Sequence, residues 1–473
     1  MKKSFLIILF LAVSNFLAAQ IKPWKNGNLR VSSNGHYIQT GDGHPFFWQG
    51  DTAWLLFQRL NRDEVKQYFE NRKAKGFNVV QCIFYQSYND SNAYGDSAYV
   101  DKDLTKPKHT PGNDPNDKDQ YDFWDHADYI ADVAEQNGIY LAIAPTWGQL
   151  VLRDKQMTKE KAKLFATHLA NHFKDKPNII WVNGGSAKPE VNTDIWETIG
   201  STIKENDPNH LITFHPFGRM QSSTIFNDAK WLDVNMFTSG HRNYSQDNTS
   251  RKVGEDSWMY VLEDFAKSPV KPTIDGEPSY ESLPQGLHDQ TQPYWNAADV
   301  RRYAYWSVFA GACGHVYGQN SVRQVYKEGV NKPESGAKIT FVKALDDEGA
   351  FQMQYVKNLM LSRPYFDRVN DQSLVLDNGE KYDRVLATRG KDYLMAYVYN
   401  GRDFTLKMGG ISGSKVKAWW FNPKTGKAQV AGTYPNKGTV SFNPPNEKLD
   451  GNDWVLVLDD ASKKFTAPGL VNK

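Results

Sequence analysis

Glu277 closes the segment Pro272-Thr273-Ile274-Asp275-Gly276-Glu277-Pro278, directly after a short apolar run. A carboxylate at the end of such a strand is placed to attack an electrophilic carbon, as the nucleophile of a retaining glycosidase attacks the anomeric centre. Asp275 would share its inward face and reads as a structural, hydrogen-bonded carboxylate. That chemistry needs a second group to protonate the leaving oxygen, a step that typically contributes about 10²- to 10⁴-fold. The run 178–183 leads into Gly184-Gly185-Ser186, where this acid would stand, and the residue there is a serine with no proton to give near neutral pH. The plainer reading of Ser186 is a cap for the helix that follows.

Eight further positions fall at or just beyond the ends of strand-like runs. Asp51, Trp54, Tyr85, Trp147, His215, His241, His315 and Tyr317 join Ser186 and Glu277 there. Aromatic faces to stack on a sugar ring, with imidazoles and carboxylates to bind its hydroxyls, are what a carbohydrate site requires. The first group is therefore expected to bind substrate. His215, His241 and His315 come from different runs without metalloprotease spacing, and residues 113–119 lack the glycine and terminal glutamate of a calcium loop. No metal and no cofactor are expected.

These residues need a frame that gathers strand ends. Between residues 45 and 318, runs at 46–50, 78–84, 139–144, 179–183, 211–215, 232–237, 272–275 and 313–317 alternate with amphipathic stretches, the pattern of repeated βα units. Eight such runs predict a (β/α)₈ TIM barrel, an α/β fold whose active sites lie at the C-terminal strand ends. Asn61 with Glu64 three residues on predicts a capped helix presenting Val65, Tyr68, Phe69 and Arg72 before Gly76 stops it. Phe123, Ala127, Ile130, Ala131 and Ala134 form a second core-facing stripe, closed by Gly138. Cys82 and Cys313 would lie on the second and eighth strands, about 10 Å apart across the first, as two free buried thiols.

After a helical stretch at 348–362 the pattern becomes strict alternation with turn dipeptides such as Asn400-Gly401, which predicts a small all-β sandwich domain. Trp419, Trp420 and Trp454 are read as its core. The expected division is a signal peptide at 1–20, a barrel at 21–365 and the β-sandwich at 366–473. Met1-Lys2-Lys3, an apolar run and small residues near Ala19 carry the first of these, so the protein is expected to be exported. No later stretch is apolar enough to span a bilayer, and 56 basic against 54 acidic residues give no reason to expect nucleic acid as a partner. The expected partner is an oligosaccharide or polysaccharide, bound by a monomer.

Gly50-Asp51-Thr52-Ala53-Trp54, Trp181-Val182-Asn183-Gly184-Gly185, Asp275-Gly276-Glu277-Pro278 and Trp419-Trp420-Phe421-Asn422-Pro423 resemble the apiosidase-like bacterial glycoside hydrolases over almost the whole mature chain. The resemblance implies a (β/α)₈ barrel with a C-terminal β-domain of collagen-binding type, and plant cell-wall pectin as substrate. It places the family's nucleophile on Glu277 and its acid/base aspartate on Ser186. Glu190, with Asp51 and Asp194 behind it, is the nearest substitute acid. The expectation is an exported, retaining, exo-acting glycosidase; the alternative is a catalytically impaired barrel that binds glycans.

Overall fold

The computed structural model describes residues 22–153 and 157–470. The segment read as a signal peptide lies outside the described residues. Eight parallel strands form the wall of the first part: β1 (Trp48–Thr52), β2 (Val79–Tyr85), β3 (Tyr140–Thr146), β4 (Ile179–Ala187), β5 (Ile212–Pro216), β6 (Asn235–Phe237), β7 (Thr273–Asp275) and β8 (Gly314–Tyr317). Strands β8-β1-β2-β3-β4-β5 make one continuous parallel sheet and β6-β7 another. A parallel bridge from Thr213 to Val234 joins β5 to the β6 side, and the Cys313 N–H donates to the Thr273 carbonyl at 2.9 Å between β7 and β8. The wall is thus a closed (β/α)₈ TIM barrel.

Its crossovers carry α1 (Arg62–Ala74), α2 (Phe123–Gln136), α3 (Lys159–Phe173), α4 (Thr193–Asn206), the single turn α5 (Ser223–Phe226), α6 (Ser257–Phe265), α7 (Ala297–Ala310) and α8 (Glu348–Leu361). The capping box at Asn61 and Glu64 forms, and a second one opens α2 at Asp122 and Asp125. Such caps stabilise a helix by about 1 kcal/mol each by satisfying its first free N–H groups. Val65, Tyr68, Phe69 and Arg72 are buried on α1, and Gly76 follows with φ 78°. Cys82 and Cys313 are free and buried.

The C-terminal part is antiparallel. Strands β9 (Val369–Asn370), β10 (Val385–Arg389), β11 (Tyr393–Val398), β13 (Lys415–Asn422), β14 (Lys427–Pro435) and β16 (Trp454–Asp460) form one sheet in the order β9-β10-β11-β16-β13-β14. A ribbon of β12 (Phe404–Lys407) and β15 (Thr439–Phe442) covers its outer face. Period-two alternation divides the residues: Tyr393, Met395, Tyr397 and Trp419 pack into the core shared with the barrel, while Leu394, Ala396, Val398, Trp420 and Trp454 pack beneath the ribbon. The three tryptophans are therefore core.

Helix α7 is buried almost all round because the sheet covers the side that would face water. Arg301 on this helix forks onto Asp453 at 2.8 and 3.0 Å, and Tyr305 stacks on Tyr397 at 4.8 Å. Beyond α8, Arg363 holds both oxygens of Asp459 at 2.7 Å. Bidentate pairs in a buried seam fix geometry as well as adding attraction. The C-terminal sheet is thus a rigid back wall for the β7-α7-β8 side of the barrel, and Tyr382 of this part reaches Tyr244, in the loop after β6, at 5.5 Å.

Candidate active site

Glu277 lies two residues past β7, where the chain has left the sheet and its side chain turns into the barrel mouth. Three groups hold it. The Tyr280 hydroxyl donates to Oε1 at 2.7 Å, the His241 Nε2–H donates to the same oxygen at 3.3 Å, and His215 Nε2 faces Oε2 at 3.4 Å. Burial pushes the Glu277 pKa up, but the His241 bond, the two imidazoles and the Tyr280 hydroxyl outweigh it and bring it down to about 2. The carboxylate is ionised at neutral pH and its side chain remains 16% exposed.

Each holder is itself held. The backbone N–H of Ser186 donates to His215 Nδ1 at 3.1 Å. An imidazole that accepts at Nδ1 carries its proton on Nε2, the nitrogen facing Glu277. Burial lowers the His215 pKa against the opposing pull of the Glu277 carboxylate, which favours that tautomer. Trp54 Nε1–H donates to the Tyr280 hydroxyl at 3.1 Å, leaving the tyrosine proton for Glu277. The Gly240 N–H donates to the Glu277 carbonyl at 3.0 Å, and a Cβ on Gly240 would fall 2.5 Å from Pro278, so only glycine lets these loops meet.

Above the carboxylate opens a cavity of about 690 Å³, the size of a site for a small glycan. Trp54, Trp147, Ser186, His241, Tyr280 and Glu277 are among the residues lining it. Trp54 and Trp147 meet at 5.0 Å, and both rings contact His215. At the lip, Phe217 is 46% exposed. The paired glycines let β4 pass this wall: a Cβ on Gly184 would sit 2.6 Å from the His215 carbonyl oxygen, and one on Gly185 2.8 Å from the Trp147 ring. Both have positive φ, and so does Ser186 at 54°. Ser186 ends a strand and does not cap a helix; α4 begins later, after Asn192.

Several residues expected at the mouth stand elsewhere. Asp51 is fully buried and bonds Arg72 Nε at 2.7 Å and the Tyr68 hydroxyl at 2.6 Å, both on α1. It faces the helix layer. Val316 lies against Gly50, so its neighbours His315 and Tyr317 project from the opposite, helix-facing side of β8. His315 is fully buried, and burial lowers its pKa to about 3. Tyr317 donates to Glu281 at 2.6 Å. Tyr85 turns away to pack edge-on against Tyr99 at 4.9 Å. None of these four lines the cavity, and their assignment to substrate binding is corrected accordingly.

Asp275 is also misjudged in orientation: it shares the face of Thr273, whose hydroxyl bonds Asp264 on α6, and it accepts from Ser239. Burial pushes its pKa up to about 7. Its structural role stands, but on the outer face. Glu190 is exposed and outside the cavity lining, and Asp194 pairs with Lys159 at 3.4 Å on the surface. Among the described residues Glu277 is the sole carboxylate lining the cavity. No group of three or more metal-ligating side chains comes together among the described residues.

The sequence reading missed Tyr280, Phe217, Arg219, Arg242, His288 and Arg323, all of which line the cavity. All but Arg323, which ends the single helical turn Asn320–Arg323, lie in loops, where no periodicity announces which side chain turns inward; an arginine or aromatic residue soon after a strand end is the weak signal available.

Comparison with known proteins agrees with this geometry. Residues 32–367 match the family described as "Apiosidase-like, catalytic domain". The chain belongs to this apiosidase-like family. Residues 369–459 match the "Putative collagen-binding domain of a collagenase". A solved structure named glycoside hydrolase is 45% identical, with a TM-score of 0.88, covering 94% of this chain and 99% of its own. A glycoside hydrolase family 5 structure from Bacteroides vulgatus is 44% identical, with a TM-score of 0.89, covering 95% and 97%. No match is found among curated proteins. These glycoside hydrolase relatives support a glycosidase activity for this chain, and the fold implies a carbohydrate substrate.

Proposed function

We propose that the protein is an exported, monomeric, retaining glycosidase that removes a terminal sugar from pectin-type plant cell-wall glycans, with Glu277 as nucleophile. The observation that carries this reading is an ionised carboxylate, bonded by Tyr280 and His241 and faced by His215, in the lining of a cavity shared with Trp54 and Trp147. The rings offer stacking surface for the apolar face of a sugar, and the fixed carboxylate attacks the anomeric carbon from below. His215 and Tyr280 orient the attacking oxygens. Export rests on the sequence of residues 1–20.

Ser186 stands at the position of the acid/base group, so departure of the leaving oxygen lacks a protein proton donor there. Its left-handed backbone suits aspartate or asparagine better than most residues, since these are the non-glycine types most enriched at positive φ. A carboxylate can therefore be restored without rebuilding the loop. The single carboxylate in the lining also favours a second reading, a barrel that binds glycans without cleaving them.

Product mass analysis separates the two. Wild type, Ser186→Asp and Glu277→Ala are incubated with pectin-derived oligosaccharides, including apiose-bearing side chains. Sugar release by wild type that Glu277→Ala loses supports the glycosidase. Release by Ser186→Asp alone, with saturable binding by wild type, supports the binding barrel. Undiminished release by Glu277→Ala would sink the nucleophile assignment.

A further inference from the structure

The cavity is richer in cations than a neutral sugar needs. Arg242, in the loop after β6, and Arg323, at the end of the single helical turn Asn320–Arg323 after β8, line it, and neither has a carboxylate within ion-pair distance among the described residues. Arg242 donates to Asn248, and Arg323 donates from Nε to Asn320 at 3.3 Å, which leaves guanidinium N–H groups of each uncommitted. Arg219 differs: it is tied to Asp247 at 3.4 Å and to backbone carbonyls. Both uncommitted cations line the same cavity as Glu277. Arg242 follows His241, whose ring meets Tyr280 at 4.6 Å, and the Arg323 charge acts on that same tyrosine.

Two guanidiniums without an ion-pair partner lining one cavity, in a cleft whose low-dielectric walls strengthen their field, favour an anionic guest. The missing acid points the same way. An alkoxide leaving group has a conjugate acid near that of water, about 15.7, and departs about 10²- to 10⁴-fold more slowly without a donated proton. A phosphate monoester, with a second pKa of about 6, or a carboxylate, at about 4, departs as a stable anion.

We infer that the cavity holds an oxyanion subsite, formed by Arg242 and Arg323 beside Glu277 and Ser186, that receives a leaving group departing as an anion: the sugar is carried on a phosphodiester or a carboxylic ester. In the first step a Glu277 oxygen bonds the anomeric carbon, the bond from that carbon to the phosphate or acyl oxygen breaks, and its electron pair leaves with the anion. No proton is needed. In the second step water bonds the anomeric carbon, the Glu277 carboxylate is released, and the water's proton passes to the anion still held by the arginines. The cleavage rests on the glycosidase reading; the subsite itself does not.

The test is isothermal titration of the full-length protein at low salt with inorganic phosphate and, separately, with acetate. Neither probe is hydrolysed, so Glu277 chemistry does not enter. We expect saturable binding of at least one probe with a Kd of about 1 mM. Loss of one charged hydrogen-bonding partner should weaken it about tenfold in Arg323→Gln and in Arg242→Gln. Ser186→Asp should weaken it too, by adding a like charge to the same cavity. Tighter binding of phosphate assigns the phosphodiester, and tighter binding of acetate assigns the ester. No saturable binding by wild type, or equal affinity in the arginine variants or in Ser186→Asp, overturns the subsite. Undiminished glycan hydrolysis by Glu277→Ala would instead overturn the nucleophile and leave the subsite standing.

Discussion

The inner and outer faces of the barrel wall carry similar residues to opposite ends. On the inner side Glu277, His215 and Tyr280 converge beneath a cavity, and the carboxylate keeps one route to solvent. On the outer side Asp51, Asp275, His315 and Tyr317 are sealed between strands and helices. Both faces hold carboxylates bonded to hydroxyls. What differs is the partner: Asp51 is neutralised by a buried arginine within its own layer, whereas the neighbours of Glu277 are donors that hold the negative charge without cancelling it. A paired charge fixes structure; an oriented, unneutralised one is available for chemistry.

The contrast is tested most strongly by removing one carboxylate from each face. Glu277→Ala should reduce turnover by about 10⁵-fold or more, the scale on which nucleophile removal acts, while the protein keeps a cooperative unfolding transition. Asp51→Ala should do the reverse. Leaving Arg72 buried without its partner costs about 3–5 kcal/mol, read as a lowered denaturation midpoint, with KM unchanged because Asp51 does not reach the cavity. A marked KM change in Asp51→Ala would return that residue to the site.

Ser186→Asp sharpens the inner face. A proton donor beside the leaving oxygen should raise kcat/KM on alkyl glycosides by about 10²- to 10⁴-fold, with little gain on substrates whose leaving group needs no proton. Equal gains on both would mean that the aspartate acts on binding and not on proton transfer.

The two faces also explain what the sequence revealed. Helix α1 was legible because Asn61, Glu64 and Gly76 mark its ends and Val65, Tyr68, Phe69 and Arg72 its buried stripe. The eight strands were legible as apolar runs, though β1, β3 and β4 continue into the polar ends Thr52, Thr146 and Ser186. Parity was not legible. A parallel strand is buried on both faces, so His315, Val316 and Tyr317 look alike in the sequence, and only the contact of Val316 with Gly50 tells which way each points. Glu277 escaped this ambiguity because it lies past the strand. Tyr280, Arg219 and Arg242 come from irregular loops and Arg323 from a single helical turn, too short for a period to describe.

The smallest expected effect is a change in the slope of stability against pH, and it distinguishes the faces by sign. Asp275 keeps its proton to about pH 7 when folded but releases it near 3.8 when unfolded. Between these values the native state binds more protons, so this group's stabilising contribution is full below about 3.8 and is lost as pH rises through 7. Glu277 runs the other way: its folded pKa of about 2 lies below the ordinary 4.5, so its contribution is full above 4.5 and is lost as pH falls through 2. In midpoints measured from pH 2 to 8, Asp275→Asn should abolish a decline between about 4 and 7, and Glu277→Gln should abolish a rise between about 2 and 4.5. If Asp275→Asn instead flattened the acid side, Asp275 would be ionised and stabilised by its neighbours, and the division between a sealed outer carboxyl and an open inner carboxylate would fail at the strand where the two stand closest.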